Sequence, residues 1–283
     1  MPVDLTRGRC AAGLPALVVA ISVAAFCRDA RADHTEEEHI TDDTAFTLSG
    51  DKNWRVGLFK AAVALGDRVT LSTYIWPWVL RTPNLGLKWQ FYSGKEWHWA
   101  TGLGVLRLDT AAFDKGNSNA PVFTVGTFDV MTSYRIKRQH QISADLTLTA
   151  VRLSGEVTTD TFDGAGEAAV TNSQWSLAYE YRWSERLALI ATGRFLLGQV
   201  LSGQIDTTIQ PDPFTTIELR AEAADRTVLN YENAFSVVAS AAWSWETFNL
   251  RVGLGYGNFN VPGINFMVDR KVFFPELDLY WTF

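Results

Sequence analysis

The chain has 283 residues, with 25 Lys+Arg against 31 Asp+Glu and a formal net charge of -6. That balance gives no basic face for phosphates and excludes a nucleic-acid partner, while 47% hydrophobic content excludes disorder. Seventeen Phe, 11 Trp and 8 Tyr at a mean hydropathy of -0.02 exclude a helical membrane bundle but not a membrane β-barrel, where only alternate residues face lipid.

Residues 1–32 read as a secretory signal peptide. Arg7 and Arg9 supply its positive start, Leu14 to Phe26 the apolar run, and Ala30-Arg31-Ala32 the cleavage site. Pro15 and Gly13 interrupt the stretch, which argues against a membrane anchor. Both cysteines, Cys10 and Cys27, fall inside it, so an exported chain relies on packing and backbone pairing without disulfides. Residues 33–43 form an acidic N-terminal segment. Its His34 and His39 match no zinc spacing, and no metal or cofactor is expected.

From 44 to 283 the hydrophobic period is two, as in strands. Trp175, Leu177, Tyr179, Tyr181 and Trp183 alternate with Ser176, Ala178, Glu180 and Arg182; Phe248, Leu250, Val252, Leu254 and Tyr256 form another such row. Strands are predicted near 54–65, 68–79, 84–92, 96–109, 121–135, 140–154, 172–183, 186–201, 229–245, 247–259 and 271–283. Short turns, such as Gly66-Asp67 and Ser184-Glu185, take turns with long loops at 110–120, 156–171, 202–227 and 260–270. Short turns at one end and long loops at the other are the transmembrane-barrel pattern. Eleven strands violate its even count, and 44–49 is the candidate for the missing one. The expected fold is therefore all-β, a single antiparallel transmembrane β-barrel of 12 strands spanning 44–283, with ten as the alternative.

Aromatic residues fall near both sets of connections, as rings at two headgroup levels would. Trp97, Trp99, Trp183, Trp245 and Trp281 lie beside short turns, and Trp54, Trp78, Trp175, Tyr256 and Phe273 are placed near the loop end.

The last twelve residues end in Phe283, preceded at alternate positions by Trp281, Leu279 and Leu277. This ending resembles the C-terminal assembly signal of bacterial outer-membrane β-barrel proteins. The resemblance implies a Gram-negative outer membrane, its lipid, and the barrel-assembly machinery as partners. Pro275 departs from the pattern, standing where an apolar residue is usual.

With the apolar rows facing lipid, the opposite parity puts Lys60, Lys88, Asp129, Asp145, Glu180, Arg182, Arg194, Arg251, Glu276 and Asp278 in the lumen. Arg251 is positioned to pair with Asp278 or Glu276 on the next strand. Five basic and five acidic groups can pair and close a lumen, or line a wet constriction that meets solute. Catalysis is not expected. The chain has four histidines, and the nearest match to a nucleophile elbow, Gly116 to Ala120, lies in a predicted loop. His98 and His140 beside short turns read as wet interface residues. The expected function is a passive, porin-like channel for small solutes; the alternative is a closed structural or adhesive barrel acting through its outer loops.

Overall fold

The computed structural model describes residues 43–48, 53–79, 81–109, 122–137, 139–158, 162–212, 215–222, 227–228, 234–245, 247–261 and 265–283. The expected signal peptide (residues 1–32), most of the expected acidic segment and the expected loop at 110–120 lie outside them. Among the described residues helix is confined to one short piece, α1 (Ile75–Val79).

A strand with one lipid-facing side must pair every backbone N–H and C=O along its edges, and closure into a barrel achieves this. The wall runs through β1 (Trp54–Gly57), β2 (Lys60–Ala64), β3 (Val69–Tyr74), β4 (Asn84–Ser93), β5 (Trp97–Asp109), β6 (Val122–Ile136), β7 (His140–Thr158), β8 (Phe162–Arg182) and β9 (Leu187–Asp212). It continues through β12 (Phe235–Trp245), β13 (Phe248–Val261) and β14 (Phe266–Thr282). Each pairs antiparallel with its neighbour in that order, and β14 pairs with β1, so twelve strands close the ring. β10 (Thr215–Glu222) and β11 (Thr227–Val228) pair with the distal part of β9, outside the ring.

The expected strand number is met, but by a different division of the chain. Residues 54–65 are not one strand. They form a hairpin, β1 against β2, with Trp54 opposite Val63 and Val56 opposite Ala61. Residues 44–49 supply no wall strand; 43–48 lie inside the barrel. The hairpin turns at Leu58-Phe59, both exposed, so no polar turn residue marks it in the sequence. Two predicted loops are also largely strand, because β7 reaches Thr158, β8 starts at Phe162 and β9 runs to Asp212. Ribbons standing beyond a membrane meet no lipid, so their sequence need not alternate.

The wall is inside out relative to a water-soluble domain. Leu103, Val105, Leu148, Leu197 and Leu254 are exposed, while Ser133, Ser143, Thr149, Asn172, Gln174 and Glu180 are buried in the interior. That polarity is what a membrane β-barrel requires. Aromatic clusters mark both ends of the apolar band: Trp97 with Tyr134 and Phe248 with Trp281 at the turn end, Trp175 with Phe195 and Tyr256 with Phe273 at the loop end. Trp54 belongs to the turn end, not the loop end, because its amide donates to the Phe283 carbonyl at 3.0 Å.

Wall height is uneven. β1, β2 and β3 have 4, 5 and 6 residues, whereas β7, β8 and β9 have 19, 21 and 26. At about 3.3 Å per residue, four residues rise roughly 13 Å, half of an apolar band about 25 Å tall.

Candidate functional site in the lumen

A short stretch of the N-terminal region occupies the turn-end half of the lumen. Residues 44–48 are all buried. Ala45 donates its amide to Ser133 Oγ on β6 at 2.9 Å, and Leu48 donates to Thr70 Oγ1 on β3 at 2.9 Å. Lys88 Nζ on β4 donates to the Thr44 carbonyl at 3.0 Å, and Asp43 pairs with Arg194 Nη2 on β9 at 2.5 Å. The Phe46 ring lies 4.5 Å from that of His98 and 4.7 Å under the Arg135 guanidinium. Polar anchors from β3, β4, β6 and β9 thus hold the segment, and Ala45 packs with Ala100 and Met131 in a small apolar cluster.

Above this segment is a pocket of about 140 Å³, room for several waters or a small solute. Lys60, Lys88, Asp129, Asp145 and Arg194 line it together with Asp43. Glycines at inward positions, Gly86 and Gly102 among them, keep the β4–β5 wall thin there. One carboxylate oxygen of Asp145 accepts from Thr147 at 2.9 Å; the other has no hydrogen-bond partner among the described residues. Toward the loop end, the Asn265 carbonyl accepts from Asn172 Nδ2 at 2.9 Å and Gln174 Nε2 at 2.5 Å, both on β8. Asn265, next to the start of β14, thus reaches β8 and narrows the lumen from the other side.

The remaining predicted lumen charges lie elsewhere on the inner wall. Arg251 Nη2 sits 3.2 Å from Glu276 Oε1 and 4.0 Å from Asp278 Oδ2. Glu180 and Arg182 are buried near the turn end of β8. Leu277, Leu279 and Trp281 occupy the lipid-facing positions of β14, alternating with buried Asp278, Tyr280 and Thr282.

Several lumen residues escaped the sequence reading. Arg55, 3% exposed, was hidden because a single strand over 54–65 puts it on the face opposite Lys60; the two-residue turn brings both inside. Asp43 was assigned to the solvated acidic segment. His98 is not a wet interface residue but is buried against Phe46, with Nδ1 3.2 Å from Ser93 Oγ. An apolar cluster sits in the loop-end interior along β5 to β8, with Leu106, Val125 and Val151 in contact and Phe123 and Val170 packed on them. On the assigned parity these read as ordinary strand residues, and their clustering needs the register.

No family model matches the chain, and no curated protein matches it. Solved structures that it is similar to are membrane-associated barrels. Outer-membrane expressed OmpT of Vibrio cholerae is 13% identical, with a TM-score of 0.39 over 79% of this chain and 64% of that one. The CymD monoaromatic hydrocarbon channel is 12% identical, with a TM-score of 0.41 over 83% of this chain and 67% of that one. CdiB from Acinetobacter baumannii is 11% identical, with a TM-score of 0.28 over 82% of this chain and 57% of that one. The chain thus spans less than two thirds of the first of these, and the barrel assignment rests on its own strand register. The expectation that the chain is not an enzyme is withdrawn against the OmpT match, which itself establishes no activity. That expectation looked for a nucleophile with a positioned histidine, a search that passes over a pocket holding two carboxylates, Asp129 and Asp145.

Proposed function

We propose that this membrane β-barrel sits in a bacterial outer membrane and passes small polar solutes, with residues 43–48 closing the lumen at rest. The observation that carries the reading is the pocket of opposed charges held directly above that segment. Lys60, Lys88 and Arg194 face Asp129 and Asp145 across a cavity, an arrangement that orients a dipolar solute and screens its charge at membrane depth. The segment's anchors to Ser133, Thr70 and Lys88 are single hydrogen bonds, each of about 1 kcal/mol net, so they can be exchanged for water singly. The outward row Leu277, Leu279, Trp281 and Phe283 is the strand offered to the assembly machinery.

Liposome swelling tests this reading. The chain is compared with a variant carrying Gly and Ser at 43–48, using sugars and amino acids of graded size. Swelling that appears or rises in the variant and falls with solute size supports a gated pore. A folded variant that admits none of them overturns it.

A second reading draws on the wall itself. β8 and β9 are about twice as long as a membrane-spanning strand needs to be and carry β10 with them. Such a ribbon offers a surface partner an extended edge, as a closed adhesive barrel would. Silence in the swelling assay together with binding through this ribbon would favour it.

A further inference from the structure

From the unequal strand lengths we infer that the barrel has a lateral window above the β1–β2 hairpin, through which a small amphiphile passes between the lumen and the lipid. The inference rests on the membrane-barrel reading above and names the class of solute.

The window is a consequence of register. β14 pairs with β1 only at Tyr280, Trp281 and Thr282, and the last contact is the Leu58 amide on the Leu279 carbonyl at 2.7 Å. β14 continues to Phe266, paired with β13 from Trp281 to Lys271 and, beyond an irregularity at Asn258–Asn260, at Met267 and Phe266. Among the described residues, no strand pairs its other edge above Leu279. Backbone direction alternates along the strand: Thr282 donates to Thr247 at the turn before β13, while Phe283 exchanges with Trp54 on β1. The N–H groups of odd-numbered residues therefore point to the open edge. Pro275 is one of these, so the ladder loses no donor to it, and a proline at an edge also blocks pairing with another chain. The residue that departed from the assembly-signal pattern is explained by this position.

Unpaired backbone at membrane depth is tolerated where it lines a wet cavity, and the charged pocket reaches the opening from its other side, through Lys60 on β2 and Ser72 and Tyr74 on β3. Both ends of that pocket are narrowed, by residues 43–48 on one side and by Asn265 on the other. Chemistry around the opening is mixed. Phe274 faces inward over Gly255, where an added Cβ would come within 2.3 Å of its ring, and it meets Phe259 at 5.2 Å. The rim is Leu58 and Phe59 of the hairpin, bordered on the β3 side by α1, whose Ile75 amide donates to the Phe59 carbonyl at 2.8 Å. A molecule with an apolar body and one charged head matches this combination: aromatic walls for the body, Lys60 or Lys88 beside Asp129 for the head. A strongly polar sugar lacks the apolar body for this opening and is left to the route along the lumen.

Nitroxide quenching tests the window. Contact quenching falls off over roughly the 10 Å thickness of a sheet wall. In the full chain with Cys10→Ser and Cys27→Ser, a bimane label is placed through Val272→Cys, inward beside the open edge. Thr192→Cys, inward on the closed wall, and Leu254→Cys, facing lipid, are the references, and Ser72→Cys serves from the other side of the opening if Val272→Cys fails to fold. Acyl-chain nitroxide lipids should quench the window label roughly twofold more than Thr192→Cys and close to Leu254→Cys. Transfer of a dansyl-labelled medium-chain carboxylate into the vesicle lipid should be accelerated severalfold over protein-free vesicles. Quenching no greater than at Thr192→Cys overturns the window, and quenching without accelerated transfer overturns passage through it. Because quenching is read with 43–48 intact, a failure of polar flux in the swelling assay leaves it unaffected.

Discussion

Arg55 Nη2 on β1 lies 2.8 Å from Asp278 Oδ2 on β14, across the seam where the first and last strands close the ring. The guanidinium also covers the Tyr280 ring at 3.9 Å, and Asp278 is shared at 4.0 Å with Arg251. Only three residue pairs of ladder join β1 to β14, as few as at any junction in the wall, so this ion pair reinforces a weak seam. Removing one partner strands the other charge in the interior, at a cost of about 3 kcal/mol. Arg55→Ala should lower the urea midpoint of the heat-modifiable gel band accordingly. The double variant Arg55→Met with Asp278→Leu should recover most of that loss; equal losses in single and double variants would show the pair to be unimportant to closure.

The open edge of β14 makes proline a probe of backbone direction. Val272 points its N–H at β13, so Val272→Pro should cost about 3 kcal/mol. Leu277 points its N–H at the edge, so Leu277→Pro should cost no more than Leu277→Ala. Denaturant titration of the three variants reads the difference, and a large penalty at Leu277 would mean that the edge is paired.

Gly257 shows where backbone conformation constrains the wall. Its φ is +125°, and an added Cβ would lie 2.2 Å from the Phe235 carbonyl oxygen, beside the bulge at Asn258–Asn260. Gly66, with φ +74° at a short turn, has open space around its Cβ position. Gly257→Ala should therefore cost about 2–3 kcal/mol, and Gly66→Ala about 1. Comparable urea midpoints for the two would refute the close approach.

How much of this was legible in the sequence depends on whether lipid or water wrote the pattern. Where both barrel faces are in force, as from Trp175 to Trp183, alternation located the strand and its inward side. The hairpin at Leu58-Phe59 was illegible because its tip is apolar, and turn chemistry was the signal sought. Parity carried across that hidden turn then moved Arg55 to the wrong side. Residues 44–49 read as a strand for a related reason: Phe46 and Leu48 alternate because they face buried surroundings, and alternation does not say whether those are lipid or lumen. His98 shows the same limit, since adjacency to a turn says nothing of what else enters the barrel.

Charge in the pocket should set selectivity once the lumen is open. In the variant with Gly and Ser at 43–48, Lys60→Gln with Arg194→Gln should move reversal potentials toward cations. Asp129→Asn with Asp145→Asn should move them toward anions. Potentials unmoved by both pairs would place the conduction path away from this pocket.

Single-channel conductance in a planar bilayer tests the central claim most directly, with the unaltered chain and the 43–48 variant compared under one salt gradient. The account predicts rare or small openings for the former and frequent, larger ones for the latter. Equal conductance in the two, or silence in both despite a folded heat-modifiable band, would contradict it.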